Sequence, residues 1–157
     1  MLLYRITHKK FSAQLYVSGM EGRWNRAGNK VIYCAESIAL AFLENMIRRQ
    51  GVGFNTDFKI MIIQVPDTLK FTVVNPKNLR PGWRDFNDYS QCQLLGDKWF
   101  QERHTAVLQV PSAVLPENNN YVFDTEHKDY KLIQLIQTVD LVHDERIEDI
   151  VKRYKKI

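Results

Sequence analysis

Apolar and polar positions change period several times along the chain, and the changes predict strands interspersed with helices. Leu2 to Thr7 alternates loosely ahead of a polar, charged stretch and reads as an opening strand. From Ser18 to Lys30 the residues Gly19, Gly22 and Gly28 and two asparagines predict a long, shaped loop. Val31 to Ala35 is a short apolar run. Ser37 then serves as the N-cap of a helix ending near Gln50 and Gly51. Leu40, Leu43 and Ile47 recur there at helical spacing, and Ala39, Phe42 and Met46 widen the stripe, so the helix is mostly buried. Phe58 to Val65 and Phe71 to Asn75 are strand-like runs separated by Pro66-Asp67, which predicts a hairpin. A second helical region runs from about Asn87 to Arg103, with Gly96-Asp97 marking a break or restart. Thr105 to Val110 is a strand stopped by Pro111, and Asn118-Asn119-Asn120 is a turn. Tyr121 to Phe123 and Leu132 to Leu141 are further strands. Asp144 caps a last helix with an apolar stripe of Ile147, Ile150, Val151 and Tyr154 and a basic C-terminal end. The fold class is therefore α+β, a single domain with a mixed or antiparallel sheet.

A chain of 157 residues buries one substantial core, and with no repeat, linker or low-complexity tract a single domain over residues 1–157 is expected. The net charge of +4 favours anionic ligands such as a phosphate-bearing metabolite without demanding nucleic acid. Cys34 and Cys92 lie in apolar surroundings with no CxxC and no Cys/His ligand spacing, which fits a reducing compartment. The first residues carry charge too early for a signal peptide, and no run is long enough to span a membrane. A cytoplasmic location is expected.

Four positions invite a chemical reading, each beside a plainer one. Arg23, in Gly22-Arg23-Trp24-Asn25, can grip a phosphate through its planar fork, or is a surface arginine beside a core tryptophan. Glu44 lies on a largely apolar helix, where a carboxylate is expensive unless paired or used; an i,i+4 pair with Arg48 would satisfy it equally. Tyr33 can stack on a planar ring with its hydroxyl solvated, or cover a core edge. Ser112 follows Pro111 at a strand end, where its hydroxyl points into a cleft or bonds neighbouring backbone. It lacks the G-x-S-x-G elbow of a nucleophilic serine. His8, His104, His127 and His143 show no metal spacing, so no metal site is expected, and neither a P-loop nor GxGxxG is present.

In order and spacing these clusters resemble the RES domain, a bacterial toxin family named for its arginine, glutamate and serine. The matching stretches are Tyr4-Arg5-Ile6, Gly22-Arg23-Trp24-Asn25 with Gly28, and Ile32 to Ser37 running into Ala39 to Glu44. Leu95 to Trp99, Leu108 to Val114, Pro116-Glu117 with its asparagines, and Asp144-Glu145-Arg146 continue the likeness over nearly the whole chain. One stretch departs. The family tends to show Asn-Pro before a histidine, and here Asp124-Thr125-Glu126-His127 stands instead, which leaves that loop's shape and the role of His127 open.

The resemblance implies a fold similar to ADP-ribosyltransferases, a cleft for NAD as substrate rather than cofactor, and a reaction that destroys NAD and halts growth. It implies catalytic roles for Arg23, Glu44 and Ser112, with Arg23, Tyr33, Trp24 and Asn25 binding NAD. A cognate antitoxin with an Xre-like helix-turn-helix is the implied partner; a homodimer is left open, and neither nucleic acid nor membrane is expected as a direct partner. Water or inorganic phosphate can serve as acceptor, making the enzyme a glycohydrolase or a phosphorylase. The rival readings are an ADP-ribosyltransferase acting on a macromolecule and a non-catalytic nucleotide-binding or interaction module.

Overall fold

The computed structural model describes residues 1–49 and 57–154. Its strands are β1 (Leu2–His8), β2 (Val31–Ala35), β3 (Phe58–Gln64), β4 (Phe71–Val73), β5 (Val107–Pro111), β6 (Asn119–Asp124) and β7 (Gln134–Asp140). Three α-helices, α1 (Ile38–Arg48), α2 (Ser90–Glu102) and α3 (Glu145–Tyr154), are interspersed among them. All seven strands join one sheet in the order β4-β5-β6-β2-β1-β3-β7, antiparallel except for the β4/β5 pair. The architecture is the expected single α+β domain around a mixed sheet.

The sheet is nearly two sheets. β1 pairs with β3 from Leu2 opposite Gln64 to His8 opposite Phe58, and β2 pairs with β6 along its whole length. β1 and β2 share a single register pair, Tyr4 opposite Ala35. Ser37 caps α1 immediately after β2, its hydroxyl accepting from the Leu40 amide at 3.1 Å, so the helix springs from this join. α1 then packs over both β1 and β2, and the Asn45 amide donates to the Ile6 carbonyl.

Side-chain alternation divides the core. Leu3, Ile32, Cys34, Met61, Ile63 and Phe123 fill one continuous cluster on one face. The other face carries two. Ile6, Ala35, Leu40, Ala41, Phe58 and Ile60 pack at α1, whereas Trp24, Val31, Cys92, Trp99, Val110 and Val122 pack at α2. Asn120 stands on the border between them, opposite Ala35 of the first cluster and Val110 of the second.

Several elements differ from expectation. No β3/β4 hairpin forms: Pro66-Asp67 turns the chain away, because β3 is already flanked on both sides by β1 and β7, and β4 pairs in parallel with β5. The crossover that a parallel pair requires is supplied by α2. α2 runs unbroken through Gly96-Asp97. Its glycine answers a packing demand, since a Cβ there would lie 1.7 Å from the Trp24 carbonyl oxygen. Asn119 and Asn120 belong to β6, leaving Asn118 in the turn, and Leu132 ends a 3-10 helix ahead of β7. The expected α1 end at Gln50 and Gly51 lies outside the described residues. On α3, Ile147 and Val151 are half-buried and Ile150 is exposed.

Candidate active site

The carboxylate of Glu44 is held by two side chains from across the sheet. Glu44 lies one turn past Leu40 on the face of α1 that looks back over β2. Its Oε1 accepts from the Ser112 hydroxyl at 2.7 Å and from the Asn120 amide at 2.5 Å. Its Oε2 makes no hydrogen bond among the described residues, and no ion pair to Arg48 forms there. The i,i+4 alternative is thus replaced by two long-range bonds.

Ser112 is 0% exposed. Its Oγ accepts from the amides of Val114 and Leu115, both at 3.1 Å, which leaves its proton directed at Glu44. Its one proton and both lone pairs are thereby engaged within the protein. The loop that begins at Ser112 is fixed in turn by Glu36, which accepts from the side-chain amides of Asn118 and Asn119.

Tyr33 shares the sheet face of Asn120, two register positions away on β2, and points toward α2. Its hydroxyl is not solvated as expected: it donates to Asn25 Oδ1 at 2.7 Å and accepts from the Trp24 amide at 3.0 Å. Burial drives the Tyr33 phenol well above its ordinary value, outweighing the Trp24 amide and the nearby arginines, which pull it down. It stays a neutral ring.

The Gly22-to-Asn25 loop is a tight antiparallel bridge whose carbonyls at Gly22 and Asn25 accept from Gln93 of α2. Trp24 and Asn25, which the resemblance places against NAD, lie inside the protein at 3% and 1% exposure. Trp24 packs with Cys92 and Trp99. Asn25 donates to the carbonyls of Met20 and Arg26 while accepting from Tyr33. Both therefore shape the loop from behind. A Cβ on Gly22 would lie 2.8 Å from Tyr33 Oη, so a glycine is needed at that close approach.

Arg23, at the loop's tip, donates to three consecutive carbonyls, Trp83 at 2.6 Å, Arg84 at 3.2 Å and Asp85 at 3.1 Å, and stacks over Tyr89. Arg84 reaches on to the Ala113 carbonyl at 2.9 Å. Residues 83–85 thus form a strap between the Arg23 loop and the Ser112 loop. The sequence singled out neither Asn120 nor this strap: an asparagine beside two others reads as a turn, and backbone acceptors carry no sequence signature.

His127 has a structural task. Its Nδ1 accepts from the Asp129 amide and its Nε2 bonds the Arg103 carbonyl, both at 3.0 Å, so the ring pins the end of α2 to the loop. The departure from Asn-Pro is accommodated locally. Asp124 Oδ1 accepts from the Glu126 amide as an asparagine would, and the Thr125 amide, which a proline would lack, donates to the Lys30 carbonyl. Among the described residues no cluster of His, Cys, Asp and Glu could hold a metal ion.

Fold and site together define an α+β domain that presents one carboxylate, anchored on one oxygen, where two half-sheets meet. The RES domain model matches residues 2–144. "Toxin Res" of Photorhabdus laumondii subsp. laumondii is 30% identical over 94% of this chain and 97% of its own length. The "Prs ADP-ribosylating toxin" of a Sphingobium species is 33% identical over 80% of each chain. In structure the chain is similar to the toxin–antitoxin complex MbcT–MbcA of M. tuberculosis, with a TM-score of 0.69 over 99% of this chain and 89% of that one; at 19% identity this is a likeness of fold. The chain belongs to the RES domain family of toxins.

Proposed function

We propose that this protein degrades NAD by breaking the bond between nicotinamide and ribose, and that it does so as the toxin of a toxin–antitoxin pair. The observation that carries the reading is the Glu44 carboxylate, fixed through Oε1 by Ser112 and Asn120 with Oε2 unbonded among the described residues. When the glycosidic bond breaks, its electron pair leaves with nicotinamide and the ribose gains oxocarbenium character. A preorganised negative group stabilises that charge most strongly where it develops. An oxygen of water or inorganic phosphate then bonds the anomeric carbon and gives up its proton.

Tyr33, a neutral ring on the sheet face that carries Asn120, offers a surface for nicotinamide. Arg23 supplies a cation for the diphosphate; its present partners are neutral carbonyls, and phosphate oxygens would add opposite charge in a bidentate geometry that suits the guanidinium fork. A partner antitoxin of the Xre-like helix-turn-helix type fits the toxin names of the relatives and the complex in which the structural neighbour was found. The cytoplasm, where NAD is held, is the compartment this activity requires.

Incubating purified protein with NAD and separating the products by chromatography tests the reading. Free nicotinamide is expected from the parent protein and at least 100-fold less from Glu44→Gln, in line with the loss of one charge-stabilising group, about 3 kcal/mol. ADP-ribose as coproduct names water as acceptor, and ADP-ribose 1″-phosphate names phosphate. The printed name of the Sphingobium relative favours a second reading, transfer of ADP-ribose to a macromolecule. NAD labelled in its adenylate half distinguishes them, because only transfer leaves label on a macromolecule. A parent protein that consumes no NAD under any of these conditions overturns the enzymatic reading in favour of a binding module.

A further inference from the structure

Asn120 is an unusual residue for its place. β6 is hydrogen-bonded on both sides, Asn120 standing opposite Ala35 of β2 and Val110 of β5, and asparagine is a poor strand former. Its half-buried amide reaches one carboxylate oxygen, Glu44 Oε1, at 2.5 Å. The second donor to that oxygen, Ser112, is locked by two backbone amides so that its proton has one direction to take. Oε1 thus receives two fixed donors, one from β6 and one from the loop after β5.

We propose that Asn120 is a positioning residue that, with Ser112, holds Glu44 in one rotamer and makes Oε2 the oxygen presented to the ribose. This inference rests on the NAD-cleaving reading. A carboxylate on a helix has three side-chain torsions, and a helix alone does not select among their rotamers. Two donors from separate elements on one oxygen remove that freedom before substrate arrives. Asn120 itself is rigid because its backbone is paired on both edges. Its own contact with substrate is not required, since its amide is engaged by Glu44.

The test is steady-state NAD cleavage by Asn120→Ala and Asn120→Asp beside the parent and Glu44→Gln. Displacing a reacting group by about 1 Å costs on the order of 100-fold. Asn120→Ala is therefore expected to lose 10- to 100-fold in kcat with KM for NAD within about twofold. Asn120→Asp keeps the size of the side chain but sets a second carboxylate beside Glu44. It is expected to fall below Asn120→Ala at neutral pH and to recover relative to it as pH drops, a dependence that a purely structural lesion would not produce. Parent activity together with an unaltered kcat in Asn120→Ala, or a loss confined to KM, overturns the inference alone. No nicotinamide from the parent protein overturns the underlying reading and the inference with it.

Discussion

At the residue level, cost is what makes a position legible. Glu44 stands out in the sequence because a carboxylate on an apolar helix needs a reason, and the structure supplies one in Ser112 and Asn120. Asn120 does not stand out, because its purpose lies on another element 76 positions away and its local company reads as a turn. The two cysteines were legible as buried, unpaired thiols, and both are free and buried. Burial pushes the Cys34 thiol up to about 12, against the pull of Arg5, and it raises Cys92 as well, against Arg23. A raised value means the reactive thiolate is scarce below it; at pH 8 only roughly one Cys34 in ten thousand would be ionised. Neither thiol of the native protein is expected to react with a thiol reagent within minutes at pH 8, and both should react at once in denaturant. Rapid labelling of one thiol in the native protein would show that the packing around it opens to solvent.

Elements were read best where the pattern is local. β2 and the Ser37 cap of α1 stand where sequence placed them, because an apolar run and a capping hydroxyl act over a few residues. Pairing is not local. Four strands stand between β3 and β4, which lie on either side of the join, and nothing in either segment names its partner. Gly96 shows the same limit in a helix: read locally it is a breaker, whereas in the structure it admits the Trp24 carbonyl against α2. Two effects of Gly96→Ala oppose each other. Helix propensity favours alanine by about 1 kcal/mol. The clash is with backbone, which cannot rotate away, and at 1.7 Å it falls at the upper end of the about 1–3 kcal/mol that overpacking costs. The clash wins, and the variant should melt roughly 4–8 °C below the parent. An unchanged or raised melting temperature would mean that the loop around Trp24 yields freely, and with it the rigid setting of Arg23 and Tyr33.

For the whole molecule, one domain and an α+β class follow from chain length and the alternation of periods, but the join between half-sheets does not. It depends on β1 and β2 diverging after one shared pair, a consequence of what each strand packs against elsewhere. The site sits at this join, so the feature most important for function is the one least written in local pattern. Among the described residues no hydrogen bond or ion pair joins α3 to Glu44, Ser112 or Asn120. The family match ends at residue 144 and α3 begins at Glu145. One link to the rest is His143, whose Nε2 bonds Glu148 at 3.0 Å and whose ring packs near Phe42. Leu141, the last residue buried in the cluster at α1, precedes it and stays in a chain cut after Asp144. Removing residues 145–157 is therefore expected to shift the melting temperature by less than about 4 °C, the equivalent of one kcal/mol in a domain of this size. The rate of NAD cleavage should stay at the parent level, since Glu44, Ser112, Asn120 and their supports all remain. Loss of folding in the truncated chain would show that the half-buried Ile147 and Val151 close the core over α1, and that α3 helps hold Glu44 in place.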